Sequence, residues 1–113
     1  MRTVNRSAIV IRPKRPYLEW AFSLEENPPD MIEHLQTRIS VYLVAEDPAG
    51  KSESAPIQNY FQEIFALELE AWDTREEVWP DTSDYRLFQN WFEVEVESVV
   101  VDLEDFAVEI EEL

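Results

Sequence analysis

Carboxylates are the most abundant groups with chemical potential in this sequence, and their most regular array lies in residues 92–103, FEVEVESVVVDL. Glu93, Glu95 and Glu97 recur at period two, so in an extended strand all three project from one face. Asp102, Glu104 and Asp105 follow within a few residues, and coordination of a hard cation such as Mg²⁺ or Ca²⁺ is the chemistry such a set of oxygens offers. The spacing is not that of an EF-hand loop, and the glycine that such loops need for their sharp turn is missing. Alternation with Phe92, Val94 and Val96 accounts for the row without any ion, because the wet face of a half-buried strand must be polar. A catalytic carboxylate pair needs two acids in different environments, one of them buried. Glu68, on the apolar stripe of a predicted helix, best meets the burial condition; otherwise it reaches solvent or pairs with Arg38, Arg75 or Arg86.

Nucleophilic catalysis needs a nucleophile beside a base. The chain has one histidine and no cysteine. His34, between Glu33 and Leu35, reads as a part-exposed side chain with nothing to tune it toward general-base work. A serine–lysine pair through Lys14 or Lys51 is not favoured by any spacing. The single glycine excludes a glycine-rich phosphate loop. No catalytic, cofactor-binding or metal-ligating residue is therefore assigned, and no cofactor is expected.

Recognition groups are more plentiful. Lys14 and Arg15 are bracketed by Pro13 and Pro16, and Tyr17 follows at once. Trp79 lies in a polar turn before Pro80, where a half-exposed position beside that basic segment is expected. Trp20, Trp72 and Trp91 fall at helical spacing and are expected in the core. Lys14, Arg15, Tyr17 and Trp79 are thus the candidate interaction surface, since aromatic and basic side chains are enriched where proteins meet.

The charge distribution supports the same view. Five of the nine basic residues fall in the first fifteen positions, where there is no acid, against a net charge of −16 for the whole chain. Charge of that sign and size repels polyanions, so neither nucleic acid nor an anionic membrane is an expected partner. Another protein, or a second copy of this chain, is. An acidic surface also keeps an aromatic-rich protein in solution. The N-terminal stretch MRTVNRSAIVIRP has too short an apolar run for a signal peptide or a membrane span, which predicts a soluble, cytoplasmic protein.

The elements that must position these groups follow from periodicity. With 113 residues, 45% of them apolar and 12% aromatic, one folded domain is expected. Residues 7–12 (SAIVIR) read as a strand inside a sheet, because Ile9, Val10 and Ile11 are apolar without alternation. Pro16 opens a helix that presents Tyr17, Trp20, Ala21 and Leu24, and a short second helix is predicted near residues 30–36 behind a capping box. Residues 39–45 (ISVYLVA) alternate as a strand, with Ile39, Val41 and Leu43 on one face and Ser40, Tyr42 and Val44 on the other. A loop over 46–55, a long helix over 56–73, a turn to Pro80 and a helix capped by Asp81, Thr82 or Ser83 lead into the final strand. There Val99, Val100 and Val101 predict either cover on both faces or a bulge at Ser98.

The order β-α-(α)-β-α-α-β predicts an α+β domain over residues 1–103. It is expected to hold a small three-stranded mixed or parallel sheet with helices mainly on one face, joined by right-handed crossovers. Residues 104–113 are expected to form an acidic tail.

Four stretches, NRSAIVIRPKRPYLEW (residues 5–20), VYLVAE (41–46), EEVWP (76–80) and WFEVEVESVVVDL (91–103), together resemble a family of small, acidic, uncharacterised bacterial proteins. The resemblance implies a bacterial, cytoplasmic source and a single domain, and it carries no activity to transfer. The functional expectation is a non-enzymatic protein-interaction or adaptor domain. The alternative is a small carboxylate-based hydrolase or a ligand- or divalent-cation-binding protein.

Overall fold

The structure, a computed structural model, describes residues 1–25, 38–46 and 55–112. The predicted helix near 30–36, with His34, and the loop carrying Gly50 and Lys51 lie outside the described residues. The elements are β1 (Arg2–Thr3), β2 (Arg6–Pro13), α1 (Arg15–Ser23), β3 (Ser40–Ala45), α2 (Ala55–Glu70), a 3-10 turn (Glu76–Val78), α3 (Tyr85–Trp91), β4 (Phe92–Glu97) and β5 (Val101–Asp102).

β2 is the centre of a three-stranded sheet, with β3 on one side and β4 on the other. Both pairings are antiparallel. This corrects the expected mixed or parallel sheet with crossovers. Connections of sufficient length permit a crossover but do not require one, and the sequence already held the contrary sign. Strands that alternate dry and wet, as β4 does, belong to a sheet with one solvated face, the mark of antiparallel pairing. The unbroken apolar run of β2 reflects its central place: neighbours on both sides shield even its less covered residues.

Register sets the faces. Ile9 stands opposite Tyr42 and Val96, and Ile11 opposite Ser40 and Val94. These side chains share the face that packs on the helices, where Ile9, Ile11 and Val44 join Phe61, Ile64, Phe65, Leu69, Phe88 and Phe92 in the core. Phe65 lies 5.6 Å from both Phe88 and Phe92, and Phe88 lies 5.3 Å from Phe92, spacings at which tilted rings attract beyond their burial.

β1 and β5 extend the β2–β4 ribbon as a second, two-stranded sheet. The register changes between them. From the Thr3–Val101 pair to the Ala8–Glu97 pair, residues 4–7 of one strand face only residues 98–100 of the other. One residue is in excess, the ladder breaks, and Val4 N–H donates to the Val100 carbonyl at 2.7 Å across the gap. The phase change expected at Ser98 is therefore a register offset, with the extra residue on the opposite strand. The expected cover on both faces is absent: Val99 and Val101 are exposed.

Helix termini are closed without glycine. Asp84 caps α3 by accepting from Leu87 N–H at 3.1 Å. It does so one position beyond the expected caps, because Asp81 instead accepts from Ser83 N and Oγ at 3.0 and 2.6 Å. At the C-terminal ends the last carbonyls lack intrahelical partners. Tyr17 Oη donates to the Glu68 carbonyl at 2.8 Å, and Trp72 Nε1 donates to the Ala21 carbonyl at 2.9 Å. The last turns of α2 and α1 are thus each closed by an aromatic from elsewhere in the fold. Tyr17→Phe removes one such bond while leaving its burial intact. It is expected to lower stability by about 1–2 kcal/mol, read as a fall in the urea midpoint at unchanged m.

Candidate functional site

The expected interaction residues do not form one surface. Tyr17 is buried at 3% exposure, with its ring 5.2 Å from Phe92, and burial pushes its hydroxyl up to about 12. Trp79 is half-buried against the core, with its indole N–H donated to the Asp73 carbonyl at 2.7 Å. The Tyr17 ring is therefore not free to greet a partner, whereas Trp79 has the half-exposed position expected of it. Lys14 and Arg15 are exposed as expected, but each has a local partner. Lys14 Nζ donates to the Gln89 carbonyl at 3.0 Å, and Arg15 pairs with Glu19 at 2.8 Å one helical turn on. Trp20 and Trp91 pack at the core as expected, their rings 5.9 Å apart.

The carboxylates are dispersed. Glu93, Glu95 and Glu97 line the exposed side of β4, and Arg12 on β2 reaches across to Glu95 at 2.8 Å. Among the described residues no three His, Cys, Asp or Glu side chains are grouped so as to hold a metal ion. An open cleft lined by Lys14, Ile57, Tyr85, Gln89, Phe92, Glu93 and Val94 brings one amine and one carboxylate to the end of the sheet.

Glu68 is buried, as its place on the α2 stripe predicted. Its Oε2 accepts from Ser40 Oγ at 3.3 Å, and the Tyr42 hydroxyl also bonds to it. Burial raises its carboxyl above the usual carboxylate range, while Ser40, the Arg38 charge and Tyr42 pull in the opposite sense. Among the described residues none of these groups is a second carboxylate. Arg75, an expected partner, is engaged elsewhere. It grips Asp73 through Nε at 3.0 Å and Nη2 at 2.7 Å and holds that carboxyl down at about 2.

The feature that sequence reasoning missed is the other face of the sheet. β3 turns Ser40, Tyr42 and Val44 toward the helices, which sends the aliphatic set outward: Val41 is 59% and Leu43 57% exposed, with Ile39 beside them. Across from them on β2, Ala8 pairs with Leu43 and Val10 with Val41. The open face is therefore apolar over β3 and the middle of β2, and acidic along β4. The pattern in residues 39–45 offered two dry faces, and the buried Glu68 carboxyl decides between them, because Ser40 and Tyr42 must face it.

No family model, curated protein or solved structure matches this chain. The open face is thus judged on its own chemistry. No described helix is long and apolar enough to cross a membrane.

The Glu68 environment sets a pH dependence. A carboxyl raised on folding holds its proton more tightly in the native state. Stability is then fully present below the unfolded pKa near 4.3 and is lost as pH rises through the folded value. Glu68→Gln keeps an acceptor for both hydroxyls and carries no charge. Thermal unfolding from pH 4 to pH 8 should show this loss in the wild type and a flatter profile in the variant, which is the more stable of the two at neutral pH.

Proposed function

We propose that this protein is a non-enzymatic protein-interaction domain of the bacterial cytoplasm whose contact is the open face of the β3-β2-β4 sheet. The carrying observation is the outward projection of Val41 and Leu43 from a strand that no other described element covers on that side. A contiguous aliphatic ridge in water marks a place where another surface is to be seated. Two further features support it. Among the described residues β3 is an edge strand with no partner on its outer side, a template for strand addition. The Glu93, Glu95 and Glu97 row along the opposite edge gives the face a polar rim and an orientation, which favours a correctly directed partner over a random one. The net charge of −16 suppresses indiscriminate stacking of such edges. The absence of cysteine agrees with a reducing compartment.

A photoreactive benzoylphenylalanine placed at position 41 is expected to give covalent adducts in the cell, and the same group at Glu63, on the exposed side of α2, is expected to give none. Failure of position 41 to crosslink to anything overturns the proposal. Val41→Lys should leave unfolding free energy within about 0.5 kcal/mol of wild type, because the side chain it replaces is exposed.

A further inference from the structure

We infer that the outer edge of β3 is taken by the same edge of a second copy of this chain, so that two three-stranded sheets join into one antiparallel sheet of six strands; this rests on the reading of β3 as the contact strand. Among the described residues the sheet has two outer strands, β3 and β4, and only β3 suits a copy of itself. Paired with itself, with both glutamate rows on one face, β4 would set Glu95 against glutamates of the second copy. Like charges directly opposite one another work against pairing. Residues 39–45, ISVYLVA, hold no charge, no proline and no glycine. Every residue of β3 pairs with β2 in unbroken register. An edge that regular carries none of the devices that keep strands apart.

The charges at the two ends of β3 fix the register. A twofold axis normal to the sheet keeps both helical layers on one side, and residues that face each other must then share that side or share the other. Arg38 and Glu46 flank the strand at equal distance from Tyr42, and both are exposed. Period two puts them on the side of Ser40, Tyr42 and Val44, where the Arg38 charge also reaches Glu68. With Tyr42 opposite Tyr42 of the second copy, Arg38 of each copy stands opposite Glu46 of the other. On the outward side the same register puts Val41 opposite Leu43 twice, and Ile39 opposite Ala45 twice. One alignment thus matches the charges at both ends and the two aliphatic ridges between them. Sliding the strands by two residues sets Arg38 opposite Val44, or Glu46 opposite Ser40, and loses both ion pairs.

The pairing is isologous: each residue that meets another is met by it in return, so the assembly closes at two copies. Its outer strands are then the two copies of β4, whose glutamates stop further growth. The net charge of −16 per copy opposes association in general. It is screened over about 8 Å at physiological salt, and the joined strands themselves bring one charge of each sign from each copy. Side by side at about 4.8 Å, the ridges of Ile39, Val41 and Leu43 from two copies become one aliphatic patch, wider than a single chain presents. That patch still faces outward, so the second copy occupies the edge and leaves the open face to another protein.

Sedimentation equilibrium of the full chain at about 0.15 M salt tests this. The wild type is expected to sediment at twice the chain mass. Arg38→Glu and Glu46→Arg each place like charges at both ends of the joined strands. Either one alone is expected to raise the dimer dissociation constant about tenfold or more. Mixed in equal amounts, the two variants are expected to regain a dimer of wild-type strength, because each end then joins an acid to a base. A role for either residue within its own chain would give no such recovery. Thermal unfolding checks that each variant is folded; if Arg38→Glu is not, because its charge reaches Glu68, the strength of the Glu46→Arg dimer decides alone. A monomeric wild type, a dimer that Glu46→Arg does not weaken, or a mixture of folded variants that stays as weak as its parts overturns the inference. A monomeric wild type whose adducts from position 41 contain a different protein discards the second copy and keeps the open face as the contact. A dimer with the expected recovery, whose adducts from position 41 contain only this chain, upholds the inference and discards the separate protein partner.

Discussion

The fold depends on aromatic side chains that act as hydrogen-bond donors to backbone carbonyls. A helix leaves its last carbonyls without partners, and the usual remedy is a glycine in a left-handed turn just beyond the end. This chain has one glycine. Instead, Tyr17 takes the Glu68 carbonyl and Trp72 joins Leu24 N–H on that of Ala21, while Trp20 takes the carbonyl of Val78 at the end of the 3-10 turn and Trp79 that of Asp73, just beyond α2. Each donor comes with a large ring that fills space beside the carbonyl it serves. Closing the helix ends and packing the core are thus one operation, and no described buried side-chain polar atom is left without a partner.

The sheet they cover has two unlike faces, and the difference arises from pairing order. With β2 between β3 and β4, the inward residues of three strands meet the helices, while the outward ones divide into an aliphatic half and an acidic half. Arg12 bridges the divide by pairing with Glu95, which limits repulsion along the glutamate row at modest gain, because the pair is partly solvated. Burying Glu68 beneath β3 has a cost in desolvation, and the hydroxyls of Ser40 and Tyr42 offset part of it. That requirement turns the polar side of β3 inward and leaves the aliphatic side in water.

Much of the architecture was legible in the residues. Unbroken apolar character located β2 as an interior strand, Glu93, Glu95 and Glu97 marked a wet face, and the phase change at Ser98 announced a register offset. The direction of the strands was not legible from connection lengths, because a chain of a given length can return either way. Tyr17 was misjudged as a contact residue for a physical reason: its place beside a basic segment near the start of a helix does not say whether a carbonyl of another helix waits for its hydroxyl. The outward ridge was hidden for a similar cause. Tyr42 and Val44 also carry large apolar groups, so periodicity alone cannot say which side of β3 is inside; the hydroxyls that Ser40 and Tyr42 turn to Glu68 mark it.

α3 runs into β4 without a loop: Trp91 is the last helical residue and Phe92 the first in the strand. The Trp91 carbonyl also takes Lys14 N–H at 2.8 Å, where α1 begins. Bending the β4 edge would therefore drag two helices with it. The acidic rim is thus tied to the helices as part of a stiff plate, and any docking on it would spend little ordering entropy on that side.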